Sequence, residues 1–164
     1  MIKVSNYVDV KKRVEELHCN MPVSIALLPR NFADARSRDE LVHESTAPTV
    51  RTLWRQNAIT ETPLERPGEK FPMVSEKAFT AWICPVIFVS YLLMSQNPHM
   101  ITVALNIISN YLTGWFKGIP KDHRRVKLDI IVETKGANYK RVEYEGPLDG
   151  LRDLPAVIKE VNDE

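Results

Sequence analysis

Apolar positions along this chain change period several times, and each period predicts a different element. Tyr7, Val10, Val14 and Leu17 recur at helical spacing between Lys11, Lys12, Arg13, Glu15 and Glu16. This predicts an amphipathic helix of about three turns, capped by Asn6 and ending near Cys19. Val23 to Leu28, VSIALL, is a short apolar run bounded by prolines, the pattern of a strand buried on both faces. Ser37 and Glu40 have capping-box spacing for a short helix through Glu44. A second helix is expected from Thr49, after Pro48, carrying Val50, Leu53 and Trp54 to Asn57. Residues 58–74 contain ITETPLERPGEKFP and read as a Pro-rich loop or arm, a segment left mobile or ordered by a partner rather than packed.

From Ala78 to Phe116 there is no Asp, Glu, Lys or Arg. The stretch reads as an apolar helical hairpin. Ser75 caps its first limb, Pro85 kinks or breaks it, SQNPH turns the chain, and Met100 to Phe116 forms the second limb. On the second limb Thr102, Asn106, Ser109 and Thr113 fall on one stripe, with Asn110 beside it. Ile101, Ala104, Leu105, Ile108, Leu112 and Trp115 fall on the opposite side. An exposed helix usually carries Lys and Glu on its outer face, whereas amides and hydroxyls suit a surface that other protein covers. Three readings follow: a hairpin wrapped inside the fold, a face that meets a partner or a second copy, and a hairpin that enters a bilayer. For the last, each limb has only about seventeen uncharged residues, the low edge of a span. Lysines and arginines flank both ends as the positive-inside pattern requires, but Pro85, Asn106 and Asn110 count against hydrocarbon.

In the last third, Val126, Leu128, Ile130 and Val132 alternate with Lys127, Asp129 and Glu133, a strand with one buried face. After the turn KGAN, Tyr139 to Glu145 repeats the pattern with Val142 and Tyr144, so the two pair as an antiparallel hairpin. Leu148, Leu151, Leu154, Val157, Ile158 and Val161 then follow helical spacing, with Pro155 in the first turn of a helix starting near Asp153. The class is α+β, a single domain over residues 1–164. A small mixed sheet with a C-terminal antiparallel hairpin is covered by helices that include the central apolar helical hairpin.

Charge narrows the function classes. Lys and Arg number 22 against 21 Asp and Glu, without a basic tail, which argues against a nucleic-acid binder. The two cysteines, Cys19 and Cys84, are far apart, and no Cys or His spacing matches a metal site. Free thiols and the absence of a signal-peptide core point to a cytoplasmic protein, with membrane association left to the bilayer reading. Neither cofactor nor metal is expected.

Two polar segments could hold chemistry. In RNFADARSRDELVHE, after the VSIALL strand, Arg30, Asp34 and His43 fall close together. His43 could serve as a general base oriented by a carboxylate, with an arginine holding an anion; the plainer alternative is a solvated surface with routine ion pairs. In TVRTLWRQN, Arg51 and Arg55 lie one turn apart beside Trp54. They could bind phosphate or stack on a base, or Trp54 could lie in the core with the arginines paired to local carboxylates. The basic run Lys117 to Lys127 could touch phosphate or anionic lipid, or be a solvated loop. No Gly-rich phosphate loop or nucleophile elbow is present.

The neutral helix, the strand KLDIIVE, the strand KRVEYEGP and the closing helix together resemble the small accessory domains encoded beside effectors in bacterial antiviral conflict systems, the effector-associated constant components. The resemblance covers roughly the last sixty-five residues. It implies an adaptor or assembly module, not an enzyme, and transfers no catalytic residue. The expectation is therefore a non-enzymatic interaction subunit that contacts a protein partner or its own copy through Thr102, Asn106, Ser109 and Thr113. A small membrane-inserting effector and an enzyme built around Arg30, Asp34 and His43 are the alternatives.

Overall fold

A computed structural model describes residues 1–74 and 81–164. The elements in chain order are β1 (Ile2–Asn6), α1 (Val10–Glu16), β2 (Ile25–Leu28), α2 (Ala47–Gln56), β3 (Trp82–Ile83), β4 (Val86–Val89), α3 (Tyr91–Gln96), α4 (Met100–Trp115), β5 (Arg125–Glu133), β6 (Tyr139–Pro147) and α5 (Leu154–Asn162). Short 3-10 turns occupy Arg38–Glu40, Lys121–His123 and Leu148–Asp153. The fold is α+β, as the alternating and helical periods predict.

The sheet is mixed, in the order β1-β6-β5-β4-β2, with β3 also pairing β5. The β5–β6 hairpin is antiparallel, with Ile130 opposite Val142 and Leu128 opposite Tyr144. Strands β3 and β4 both run parallel to β5, while β2 pairs β4 antiparallel. One face carries a core of Ile25, Leu27, Ile87, Val89, Leu128 and Ile130 under α2, α4 and α5. The other packs Ala26, Leu28, Phe88, Ile131 and Tyr139 against α1, Phe32 and Leu64. Adjacent residues of β2 thus enter opposite cores, which is why its sequence is apolar throughout.

Several expectations are corrected. The first limb of the charge-free stretch is sheet, not helix: after Trp82-Ile83 the chain makes β4, and the helices of the stretch are α3 and α4. Val86, Ile87 and Val89 are β-branched and suit a pleated surface. Pro85 interrupts the ladder instead of kinking a helix: Cys84 N still donates to Lys127 O at 2.9 Å, but a proline has no N–H to follow it. The proposed cap Ser75 lies outside the described residues. No helix among the described residues is long and apolar enough to cross a membrane.

Asn6 is the last residue of β1, and α1 is capped by Asp9, whose side chain accepts from Lys12 N at 3.1 Å. That helix ends at Glu16, short of Cys19; His18 takes φ 55°, a left-handed conformation that stops it. Ser37 makes no side-chain cap, and its segment is one 3-10 turn, because the Glu40 carboxylate accepts from Arg36 N instead. Strand β5 has both faces covered over its second half, since Ile131 is as buried as Ile130. The C-terminal apolar run begins as a 3-10 turn and becomes helical at Leu154.

Residues 58–74 hold no helix or extended strand, yet they are packed. Leu64 is fully buried, Phe71 nearly so, Glu61 bridges to Ile25, and Met73 bridges to His43. Proline removes donors without removing apolar surface, so a Pro-rich loop can still supply core side chains.

Candidate functional site

The segment after β2 closes on itself, with Arg30 N donating to Val42 O at 2.8 Å, and delivers His43 into the protein just before α2. The backbone holds it on both sides: His43 N donates to Pro72 O at 2.9 Å, and Val74 N donates to His43 O at 2.8 Å. His43 is 2 % exposed. Its Nε2 stands 3.3 Å from Oε1 of Glu65, itself buried. One turn into α2, Arg51 closes the group. Its Nη1 lies 2.5 Å and its Nη2 3.1 Å from the two Glu65 oxygens, and its Nε is 2.9 Å from Oε1 of Glu61. The forked pairing is the geometry in which a guanidinium binds carboxylate best.

Sharing one guanidinium drives the two carboxylates apart. Burial pushes Glu65 up, but hydrogen bonds from His43 and Arg51 outweigh it and hold the carboxyl at about 2. Glu61 is raised, by burial first, against the pull of Arg51 and with the charge of Glu65 adding to the rise. Arg51 is raised: burial acts to lower it, and Glu65 and Glu61 more than compensate. With Glu65 ionised at neutral pH, Nε2 of His43 is the ring nitrogen that donates, leaving Nδ1, which is buried and has no hydrogen-bond partner.

Beside this network opens a cavity of about 440 Å³ between α2 and the Pro-rich loop. Ala47, Pro48, Phe71 and Met73 make its apolar lining, and His43, Arg51, Thr52, Arg55 and Lys70 its polar one. Phe71 also packs against the His43 ring at 5.6 Å between centroids. No acidic side chain lines the cavity among the described residues.

The structure gathers His43, Arg51 and Arg55 but leaves the other two candidates apart. Arg30 pairs with Glu44, the neighbour of His43, at 3.2 Å, and lines a different cavity with Lys127, Asp129 and Arg141. Asp34 is exposed and lines neither. None of the cavities described gathers Arg30, Asp34 and His43 together. Trp54 is 1 % exposed, with its indole N–H directed at Ala104 O, so it cannot stack on a base. Glu61, Glu65 and Lys70 were not legible as site residues, because only the folding of the loop brings them to α2. Among the described residues no group of three or more His, Cys, Asp or Glu could hold a metal ion.

The second candidate surface is on α4. Ile101, Ala104, Leu105, Ile108 and Leu112 are buried, as their spacing predicts. Trp115 is the exception: it is 43 % exposed, and Phe116 fills the core position. Thr102 and Ser109 are half-buried, while Asn106, Asn110 and Thr113 are exposed. Thr102, Asn106 and Ser109 line a groove of about 410 Å³ whose other wall carries Leu148, Asp149 and Arg152. Thr113 lies further along, with Lys121, Arg124 and Asp149 in a neighbouring hollow.

No protein-family model matches the chain, and neither a curated protein nor a solved structure matches it. The two sites are therefore read from their own chemistry.

Proposed function

We propose that the chain is a non-enzymatic assembly subunit that associates with its own copy through the exposed face of α4. One observation carries the reading: Val103, Asn106, Asn110 and Thr113 are exposed along one side of a sixteen-residue helix that has no charged side chain. A helix face meant only for water has no reason to exclude Lys and Glu, whereas the centre of an interface does. Asn106 and Asn110 each donate and accept, so the pair complements itself across a two-fold axis, while the Thr113 hydroxyl, which donates to Ser109 O at 2.9 Å, is left as an acceptor. Asp149 and Arg152 on the facing wall pair with each other at 4.0 Å, so together they add no net charge to that side. The resemblance of the last third to accessory domains of bacterial antiviral systems supports an adaptor role in a defence complex.

Light scattering after size-exclusion chromatography tests the proposal. The expected result is a dimer or larger species for the natural chain. A monomer of unchanged circular dichroism is expected for Asn106→Asp combined with Asn110→Asp, which places like charges opposite one another. A natural chain that stays monomeric at every concentration, or a charged variant that assembles normally, overturns it.

A further inference from the structure

The cavity beside His43 is far in sequence from the α4 face, and assembly makes no use of it. Its lining combines three features. Phe71 and Met73 give it an apolar side, and Met73 is 53 % exposed at the opening although thioethers normally seek cover. Arg55 and Lys70 give it positive charge. Arg51 is already engaged by Glu61 and Glu65, but neither Arg55 nor Lys70 has an ion-pair partner among the described residues. Finally, no acidic side chain lines it among the described residues, so nothing in the lining opposes a bound anion. Glu65 holds Nε2 and thereby fixes the ring, which forms part of the cavity wall.

We propose that this cavity binds a small organic anion, a carboxylate or phosphate monoester on an apolar body. Arg55 and Lys70 take the anionic group, Phe71 and Met73 take the apolar body, and the His43 ring forms part of the wall against which the ligand packs. Neither half of such a ligand suffices by itself: an inorganic anion leaves the apolar lining wet, and a neutral aromatic leaves the two cations unpaired. The pairing of Arg51 with Glu61 and Glu65 positions the histidine and leaves the unpaired charge of the lining to Arg55 and Lys70.

Nuclear magnetic resonance titration of the intact chain tests this with phenyl phosphate and benzoate as probes, and with inorganic phosphate and benzyl alcohol as controls. At millimolar concentration one or both aromatic anions are expected to shift the His43 imidazole and Met73 methyl resonances, and the stronger of the two identifies phosphate or carboxylate as the preferred group. Arg55→Ala and Lys70→Ala alter exposed residues outside the buried network, and each is expected to weaken that binding about tenfold, the value of one charge-assisted hydrogen bond. The proposal is overturned if neither aromatic anion moves the His43 and Met73 signals, if the controls move them equally, or if both variants bind as tightly as the natural chain.

Discussion

Nε2 of His43 and Oε1 of Glu65 are 3.3 Å apart, and both side chains are almost wholly withdrawn from water. The two residues belong to segments that share no regular secondary structure, and Arg51 of α2 ties them together. The Pro-rich loop is consequently fastened to the body of the fold by a buried charge, and three expectations about stability follow from this and neighbouring contacts.

Glu65 sets an acid limit on the loop. Its carboxyl is held at about 2 against an ordinary value of 4.5, so the folded state binds its proton less readily than the unfolded chain. The stabilisation is present in full above about pH 4.5 and is lost as pH falls toward about 2, to the order of 3 kcal/mol, with the raised Glu61 offsetting part of it. Urea unfolding at a series of pH values should show this decline. In Glu65→Gln it should be much flatter, from a starting stability about 3 kcal/mol lower at neutral pH. A variant with the natural acid profile would remove Glu65 as its source.

Trp54 joins α2 to α4. It is among the largest fully buried side chains, and its indole N–H lies 3.4 Å from Ala104 O. Trp54→Ala should cost about 3–5 kcal/mol by leaving a cavity between the two helices, and Trp54→Phe distinctly less, because most of the apolar contact survives. Equal losses in chemical denaturation would show that the N–H contact, and not the packing, carries the effect.

Gly150 makes room for Tyr144. A Cβ at position 150 would fall inside the van der Waals envelope of the Tyr144 ring, whose hydroxyl donates to Pro147 O. Gly150→Ala should therefore displace either the ring or the 3-10 turn that walls the α4 groove, at about 1–3 kcal/mol. Tyr144→Phe combined with Gly150→Ala relieves only the contact with the hydroxyl and should restore little. Thermal denaturation of both proteins checks this, and a fully stable Gly150→Ala would mean that the turn shifts without cost.

Where one face of an element meets the core and the other meets water, the sequence by itself determined the outcome. The alternation of Val126 to Val132 and of Val142 with Tyr144 produced the β5–β6 hairpin, and the spacing of Ile101, Ala104, Leu105, Ile108 and Leu112 produced α4. Local information was weaker where burial is complete or pairing is distant, although the short apolar run of β2 between prolines still read as a strand. Val86 to Val89 is covered on both faces, so no alternation distinguished strand from helix, and β5 decided the matter by pairing with it. Ile2 to Asn6 is a short edge strand whose partner, β6, lies at the other end of the chain. His43, Arg51 and Arg55 were legible as candidate chemistry, but Glu65 and Lys70 reached them only through the course of the loop, and Arg30 was turned away to Glu44. Periodicity records which side of an element is dry. Which carboxylate meets which histidine depends on contacts between distant segments, and those exist only once the whole chain has packed.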